Sequence, residues 1–354
     1  MHDLPYQFHF GLMGWRGKGP NVWPDIRAEV PEYPGGLNLQ HSIEYWLTLD
    51  LLSSEFSKNL SGRSAIRVRN SSEADVIFVP FFASISYNRY SKKLKPNQKS
   101  ANDLLQEKLV SFLTGQEEWK RSGGKDHIIV AHHPNSLLYA RMKLWPAIFI
   151  LADFGRYPST VANVEKDVIA PYKHLIPSYV DDNSGFDSRP ILLYFQGAIY
   201  RKDVSWHANI KILPQYCWRY AFIEPPFDAI ASHCVPVIIS DEIELPFEDI
   251  IDYSEFCIFV RSSDALKENF LINFIRNIGK EEWTRMWERL KEVEHFFEFQ
   301  YPSKENDAVQ MIWQAVLRKV PGIKRKIHRA DRFSQTIVPG ETGLKSASVP
   351  RNFW

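Results

Sequence analysis

The stretch FDAIASHCVPVIISDEIELPFED, from Phe227 to Asp249, carries the reading of the fold. Asp228 opens a run of small residues, Ala229-Ile230-Ala231-Ser232, that suits a brief helix. His233-Cys234 then makes a turn, and Val235–Ile239 is an apolar run with the length of a strand buried on both faces of a parallel sheet. The run ends in Ser240-Asp241-Glu242-Ile243-Glu244, so carboxylates gather beyond the strand's carboxyl end. In open α/β sheets ligands bind in the crevice outside those ends. An ordinary α/β unit with a charged loop has the same period, and a fold does not by itself fix a function.

Working outward, strand-like and helical patterns alternate. Helical spacing runs over Leu39–Phe56 (Ile43, Trp46, Leu47, Leu51) and Asn102–Lys120 (Leu105, Leu109, Phe112, Leu113). Apolar strands are expected at Ala74–Phe82, Ile128–Ala131, Ala147–Leu151 and Ile191–Phe195. Helices are expected again over Ser263–Ile278, Glu281–Phe299 and Asn306–Val320. In the middle one Trp283, Trp287, Leu290, Val293 and Phe297 form a core stripe. The alternation predicts parallel sheets with covered faces. Ala170–Pro177 and Asp181–Gly185 have the turn residues of an interdomain linker, which divides the chain near Ser178–Pro190. Beyond Pro321 the chain is basic and loses its periodicity, which predicts a disordered tail over 321–354.

Composition bounds the class without deciding it. At 354 residues and 44% hydrophobic, the chain is long enough for two domains with sizeable cores. A net charge of +1 gives no electrostatic case for nucleic acid. Cys217, Cys234 and Cys257 have neither metal nor disulfide spacing, and the latter two lie in apolar contexts that suit buried free thiols. No run reaches the roughly eighteen apolar residues that cross a bilayer, and the start is no signal peptide. Asn59-Leu60-Ser61 and Asn70-Ser71-Ser72 are glycosylation sequons.

The Phe227–Asp249 stretch resembles the nucleotide-sugar half of a GT-B glycosyltransferase, in the variant found in the exostosin-type family 47. PGGLNLQHSIEYW (Pro34–Trp46), ADVIFVPF (Ala74–Phe81) and DHIIVAHHP (Asp126–Pro134) resemble the amino-terminal half of the same family, in wording closest to plant arabinosyltransferases. The resemblance covers about Asp3 to Pro321. It implies an α/β fold of two Rossmann-like domains of the GT-B type. An acceptor-side domain would span 1–180 and a nucleotide-sugar domain 190–320. It also implies inverting transfer of a sugar from a nucleotide-sugar donor, expected to be a uridine diphosphate sugar, to a cell-wall polysaccharide or glycan. The protein would be anchored in the Golgi membrane with its catalytic domain in the lumen, and a glycosyltransferase complex is a further expected partner. The chain starts inside the family's first strand, so it reads as lacking the signal-anchor and stem.

Such chemistry needs a diphosphate cradle, contacts to the donor, and a base. Gly197 and Arg201, with Lys202, follow the strand Ile191–Phe195, and a guanidinium fork suits phosphate; a solvated turn reads equally well. Asp228 is placed to accept from ribose hydroxyls, although Asp also caps helices. Asp241 and Glu244 are expected near the donor. The base should come from the other half, with His132 and its neighbour His133, His41, Glu44 and Asp153 as candidates. No Asp-x-Asp triplet occurs, so a metal-independent reaction without cofactor is expected, the leaving diphosphate being stabilised by helix dipoles and cations.

One segment departs from the family. Only 23 residues, Val204 to Pro226, stand where a helix, strand, helix and strand are expected, and a single βαβ crossover takes about 30 residues. The donor domain therefore reads as incomplete at 204–226, with one wall of the nucleotide pocket missing. The alternative expectation is a catalytically impaired splice or gene-model variant that acts only as a binding partner.

Overall fold

The computed structural model describes residues 1–17, 21–57, 61–93, 95, 98–152, 162–176, 183–196, 200–201, 204–205, 218–223 and 227–334. Its strands are β1 (Ile77–Val79), β2 (His127–Val130), β3 (Ile148–Leu151), β4 (Val168–Ile169), β5 (Ile191–Gln196), β6 (Tyr200–Arg201), β7 (Val204–Ser205), β8 (Trp218–Ile223), β9 (Val235–Ile239) and β10 (Ile258–Val260). The α-helices are α1 (Ile43–Ser54), α2 (Ala83–Tyr90), α3 (Ala101–Gly115), α4 (Glu117–Ser122), α5 (Leu138–Lys143), α6 (Phe227–Ala231), α7 (Ser262–Ala265), α8 (Phe270–Arg276), α9 (Lys280–Val293) and α10 (Ala308–Ser334).

Two separate four-stranded sheets result, ordered β1-β2-β3-β4 and β10-β9-β8-β5. Every pairing within them is parallel. In the first sheet Phe78, Ile128, Val130, Ile148 and Ile150 enter one core, while Val79, Ile129, Phe149 and Leu151 enter another on the opposite face. Burial on both faces is why these strands read as unbroken apolar runs. In β9, Pro236 breaks no ladder that matters. Val235 and Pro236 pair with β8, and pairing with β10 begins only at Val237, so the missing N–H falls where just one neighbour needs bonding.

The segment expected to leave the second sheet short of a wall supplies β8. This strand pairs with β5 from Ile191↔Trp218 to Gln196↔Ile223 and with β9 at Tyr220 and Ala221. One parallel strand therefore stands between β5 and β9, and most of the rest of 204–226 lies outside the described residues.

Helix boundaries move for local reasons. The pattern over Asn102–Lys120 splits at Gln116, which is extended between α3 and α4, and Ser100 closes a capping box with Asp103 at the start of α3. The pattern Ser263–Ile278 becomes α7 and α8, separated by Asn269 in the left-handed region. The last helix continues past Pro321 to Ser334, so 321–334 is helical where a disordered tail was expected, and 335–354 lies outside the described residues. Val309, Ile312, Val316, Val320 and Ile323 keep an apolar stripe buried across the proline. The carbonyl that a residue other than proline would have bonded belongs to exposed Leu317.

A single core ties the halves together. Ile43, Leu47, Ile128 and Ile148 from the first half share it with Phe227, Ile230, Phe247, Leu290 and Phe297 from the second, and with Val309, Ile312 and Trp313 of α10. Beside it lies a buried polar knot. Asp50 of α1 accepts from Arg63 Nη1 at 2.8 Å, Ser303 Oγ at 2.6 Å, Gln310 Nε2 at 3.2 Å and Trp313 Nε1 at 3.0 Å. Cys234 and Cys257 are buried.

Replacing Asp50 by Ala should destabilise the protein by about 3–5 kcal/mol, because it removes the buried carboxylate that pairs with the Arg63 guanidinium and accepts from three further donors. Urea denaturation with the slope unchanged checks this; a loss under about 1 kcal/mol would show the knot to be incidental.

Candidate active site

The candidate site is assembled around the segment 170–176, which leaves β4 at the edge of the first sheet. Gly36, at φ 67°, adopts a conformation that a side chain would strain. It starts the 3₁₀ turn Gly36–His41, which delivers His41 immediately before α1. His132 and His133 emerge just past the end of β2. Lys173 N donates to Gln40 O at 3.1 Å, fastening the segment to the His41 turn.

His41 and His132 meet Nδ1 to Nδ1 at 3.0 Å, and His132 Nε2 lies 3.1 Å from the carbonyl of Ala170. Tyr172 packs on both imidazoles, with ring centroids 5.0 Å from His41 and 4.9 Å from His132. It stacks on Phe227 of α6 at 6.1 Å. His133 adds a third ring 4.7 Å from His41, and Tyr87 lies 4.6 Å beyond it. His132 is fully buried, whereas His41, His133, Tyr87 and Tyr172 are partly exposed. Burial, then the neighbouring imidazoles, lowers the His41 pKa to about 2, and burial lowers that of His132 to about 3. Both rings are therefore neutral.

Across the segment stands Asp228, the second residue of α6 and almost wholly buried. Its Oδ1 accepts from Leu175 N at 2.8 Å. Burial raises its pKa, opposed by that bond and by the charge of Lys173. Lys173 is itself pushed down by burial and held up by Glu298 and Asp228. Its Nζ donates to His174 Nε2 at 3.1 Å, and His174 Nδ1 donates to Ile176 O. The structure thus brings His41, His132 and Asp228 to one segment. Tyr172, Lys173 and His174 join them, residues that the linker-like composition of 170–176 conceals; the only signal was an aromatic, a cation and an imidazole in succession between a strand and a proline.

The other candidates fall elsewhere. Glu44 is completely buried in α1, where Oε1 accepts from Ser84 N at 3.0 Å, and burial raises its pKa to about 8. Asp241 is exposed and accepts from Ser262 N at 3.1 Å, joining its loop to the start of α7. Glu244 is exposed and lines a cavity of about 250 Å³ with Glu248, Arg318 and Lys319, against α10 and away from the His41 group. Arg201 stands on β6; Asp153 and Gly197 lie outside the described residues. Among the described residues no three His, Cys, Asp or Glu side chains form a metal-holding group.

Two parallel α/β sheets, with neutral imidazoles and a buried acid meeting at one segment, describe the class of fold and site, and comparison with known proteins gives the family. The profile of the exostosin GT47 domain matches residues 1–217 and 222–275, and the chain belongs to that family. It is 32% identical to the probable arabinosyltransferase ARAD1 of Arabidopsis thaliana over 94% of this chain and 80% of that protein. It is 22% identical to the probable glucuronoxylan glucuronosyltransferase IRX7 of the same plant, over 92% and 84% of the two chains. The probable glucuronosyltransferase GUT1 of rice is also 22% identical, over 73% of this chain and 72% of its own.

Glu44 gives a pH test of the site's support. Its folded pKa, about 8, lies above the unfolded value of about 4.3, so between these the folded state holds a proton the unfolded chain releases. Stability therefore falls as pH rises through that window, and Glu44→Gln should flatten the fall. Urea midpoints taken from mildly acidic to mildly alkaline pH measure it; an unchanged slope in the variant would place the titrating group elsewhere.

Proposed function

We propose that the chain is an inverting glycosyltransferase that moves a sugar from a uridine diphosphate sugar to a plant cell-wall glycan, without a metal. The observation that carries this reading is the contact of one segment, 170–176, with the imidazoles of the first half and with Asp228 of the second. The two sheets then correspond to a GT-B pair, the acceptor side within 1–180 and the donor side within 190–320. The names of the similar plant proteins support the substrate class.

In this reading the ribose hydroxyls of the donor donate to the Asp228 carboxylate, whose Oδ1 is already oriented by Leu175 N. Lys173, with Arg201 and the backbone near Gly197, meets the charge of the diphosphate. The acceptor hydroxyl loses its proton to His41 as its oxygen attacks the anomeric carbon and the bond to the diphosphate breaks, which inverts the configuration. The free imidazole is neutral and weakly basic; the negative charge of a bound diphosphate raises its affinity for that proton. Asp241 and Glu244 belong to the periphery of the donor side. In this reading the protein acts in the Golgi lumen and meets other glycosyltransferases there. No described helix is long and apolar enough to cross a membrane. Of the two sequons, Asn59 lies outside the described residues, and Asn70 is exposed at the start of a 3₁₀ turn.

A second reading, a non-catalytic binding partner, draws on the 23 residues Val204–Pro226, which supply just one strand of the donor sheet among the described residues. Transfer assays separate the two. His41→Ala should lower kcat by roughly 10²–10⁴-fold, and Asp228→Ala should weaken donor binding by about 1.5–3 kcal/mol for each charge-assisted bond lost. Wild-type protein that binds no nucleotide sugar and transfers none would establish the binding-partner reading instead.

Expressed through a secretory pathway, the protein should carry an N-glycan on Asn70, seen as a mass shift removed by glycosidase and by Asn70→Gln. A bare Asn70 in secreted protein would count against a lumenal enzyme.

A further inference from the structure

We propose that His132 is a positioning residue that fixes the tautomer of His41, leaving His41 Nε2 as the bare nitrogen that faces the acceptor. The inference rests on the reading of His41 as the base and adds what sets that base. The argument starts at a group whose role cannot change: the carbonyl of Ala170 only accepts, so His132 Nε2, 3.1 Å away, must carry the proton. The His132 ring is neutral, being wholly buried, and its Nδ1 is therefore a lone pair. His41 Nδ1 lies 3.0 Å from that lone pair and must donate to it. A neutral His41 with its proton on Nδ1 has a lone pair on Nε2, which takes no hydrogen bond from any described residue, in a ring that is only partly buried. The third imidazole does not compete for the same role, because His133 Nδ1 accepts from Asn135 N at 3.1 Å.

The order of donors, His41 to His132 to Ala170, thus turns a backbone carbonyl into the element that decides which nitrogen of His41 is free. Proton uptake at Nε2 makes His41 a cation that still donates from Nδ1 to the same partner, so the contact survives the step and gains charge assistance. Ala170 lies at the start of the segment whose Leu175 N bonds Asp228, so the anchor of the base and the anchor of the donor acid are five residues apart in one chain segment.

The test uses the full chain labelled with ¹⁵N in its histidines and reads tautomers from two-dimensional ¹⁵N–¹H spectra at neutral pH, with His41 assigned by the signal lost in His41→Gln. The expected result is a proton on Nδ1 of His41 and on Nε2 of His132. His132→Leu should return His41 to the Nε2-protonated form and lower kcat by about tenfold or more, with KM for the donor changed by less than about twofold. His132→Asn, which restores an acceptor at the δ position, should keep the Nδ1 proton on His41 and recover most of kcat. Wild-type His41 protonated on Nε2, or an unchanged tautomer in His132→Leu, overturns the proposal. If the tautomers are as stated but His41→Ala transfers sugar normally, the relay stands and the reading of His41 as base falls.

Discussion

A carboxylate buried as deeply as Asp228 must find a hydrogen-bond donor, and it finds one in the other half of the molecule, at Leu175 N. Most of the candidate site follows from that bond. It holds the segment 170–176 against α6, which places Tyr172 between Phe227 and the imidazoles and sets Lys173 near the acid. The same segment closes on the first half through Gln40 O and His132. The imidazoles of the first half and the buried acid of the second therefore share one scaffold.

The scaffold is stiffened from behind. The shared core and the Asp50 knot fasten α1 to α10, so the turn that carries His41 is continuous with a helix that cannot shift without disturbing both. Buried, fully bonded polar groups specify a single arrangement more than they add stability. That distinction suits a site in which a displacement of about 1 Å is costly to catalysis.

Much of this was legible in the sequence. The apolar runs gave the strands because their faces are covered, and the positions of Asp228 at the start of its helix, His41 at the end of its turn and His132 just past its strand were readable from the pattern. Three things were not. The segment 170–176 looks like a linker because its order comes from bonds to residues 40, 132 and 228, none of them local. The strand β8 was hidden in a segment too short for the crossovers expected of it, although six residues suffice to bridge β5 and β9. The continuation of α10 past Pro321 depends on a buried stripe that outweighs the lost hydrogen bond. Glu44 is set apart from the His41 group by its complete burial in α1, and Glu244 by its place in the cavity against α10.

The central claim is that a nucleotide sugar binds where 170–176 meets α6. Hydrogen–deuterium exchange on the full chain, with and without a uridine diphosphate sugar, tests it directly. The account predicts slower exchange on ligand addition at the amides of 172–176 and 227–234 together. Protection confined to other regions, or none at saturating ligand, would contradict it.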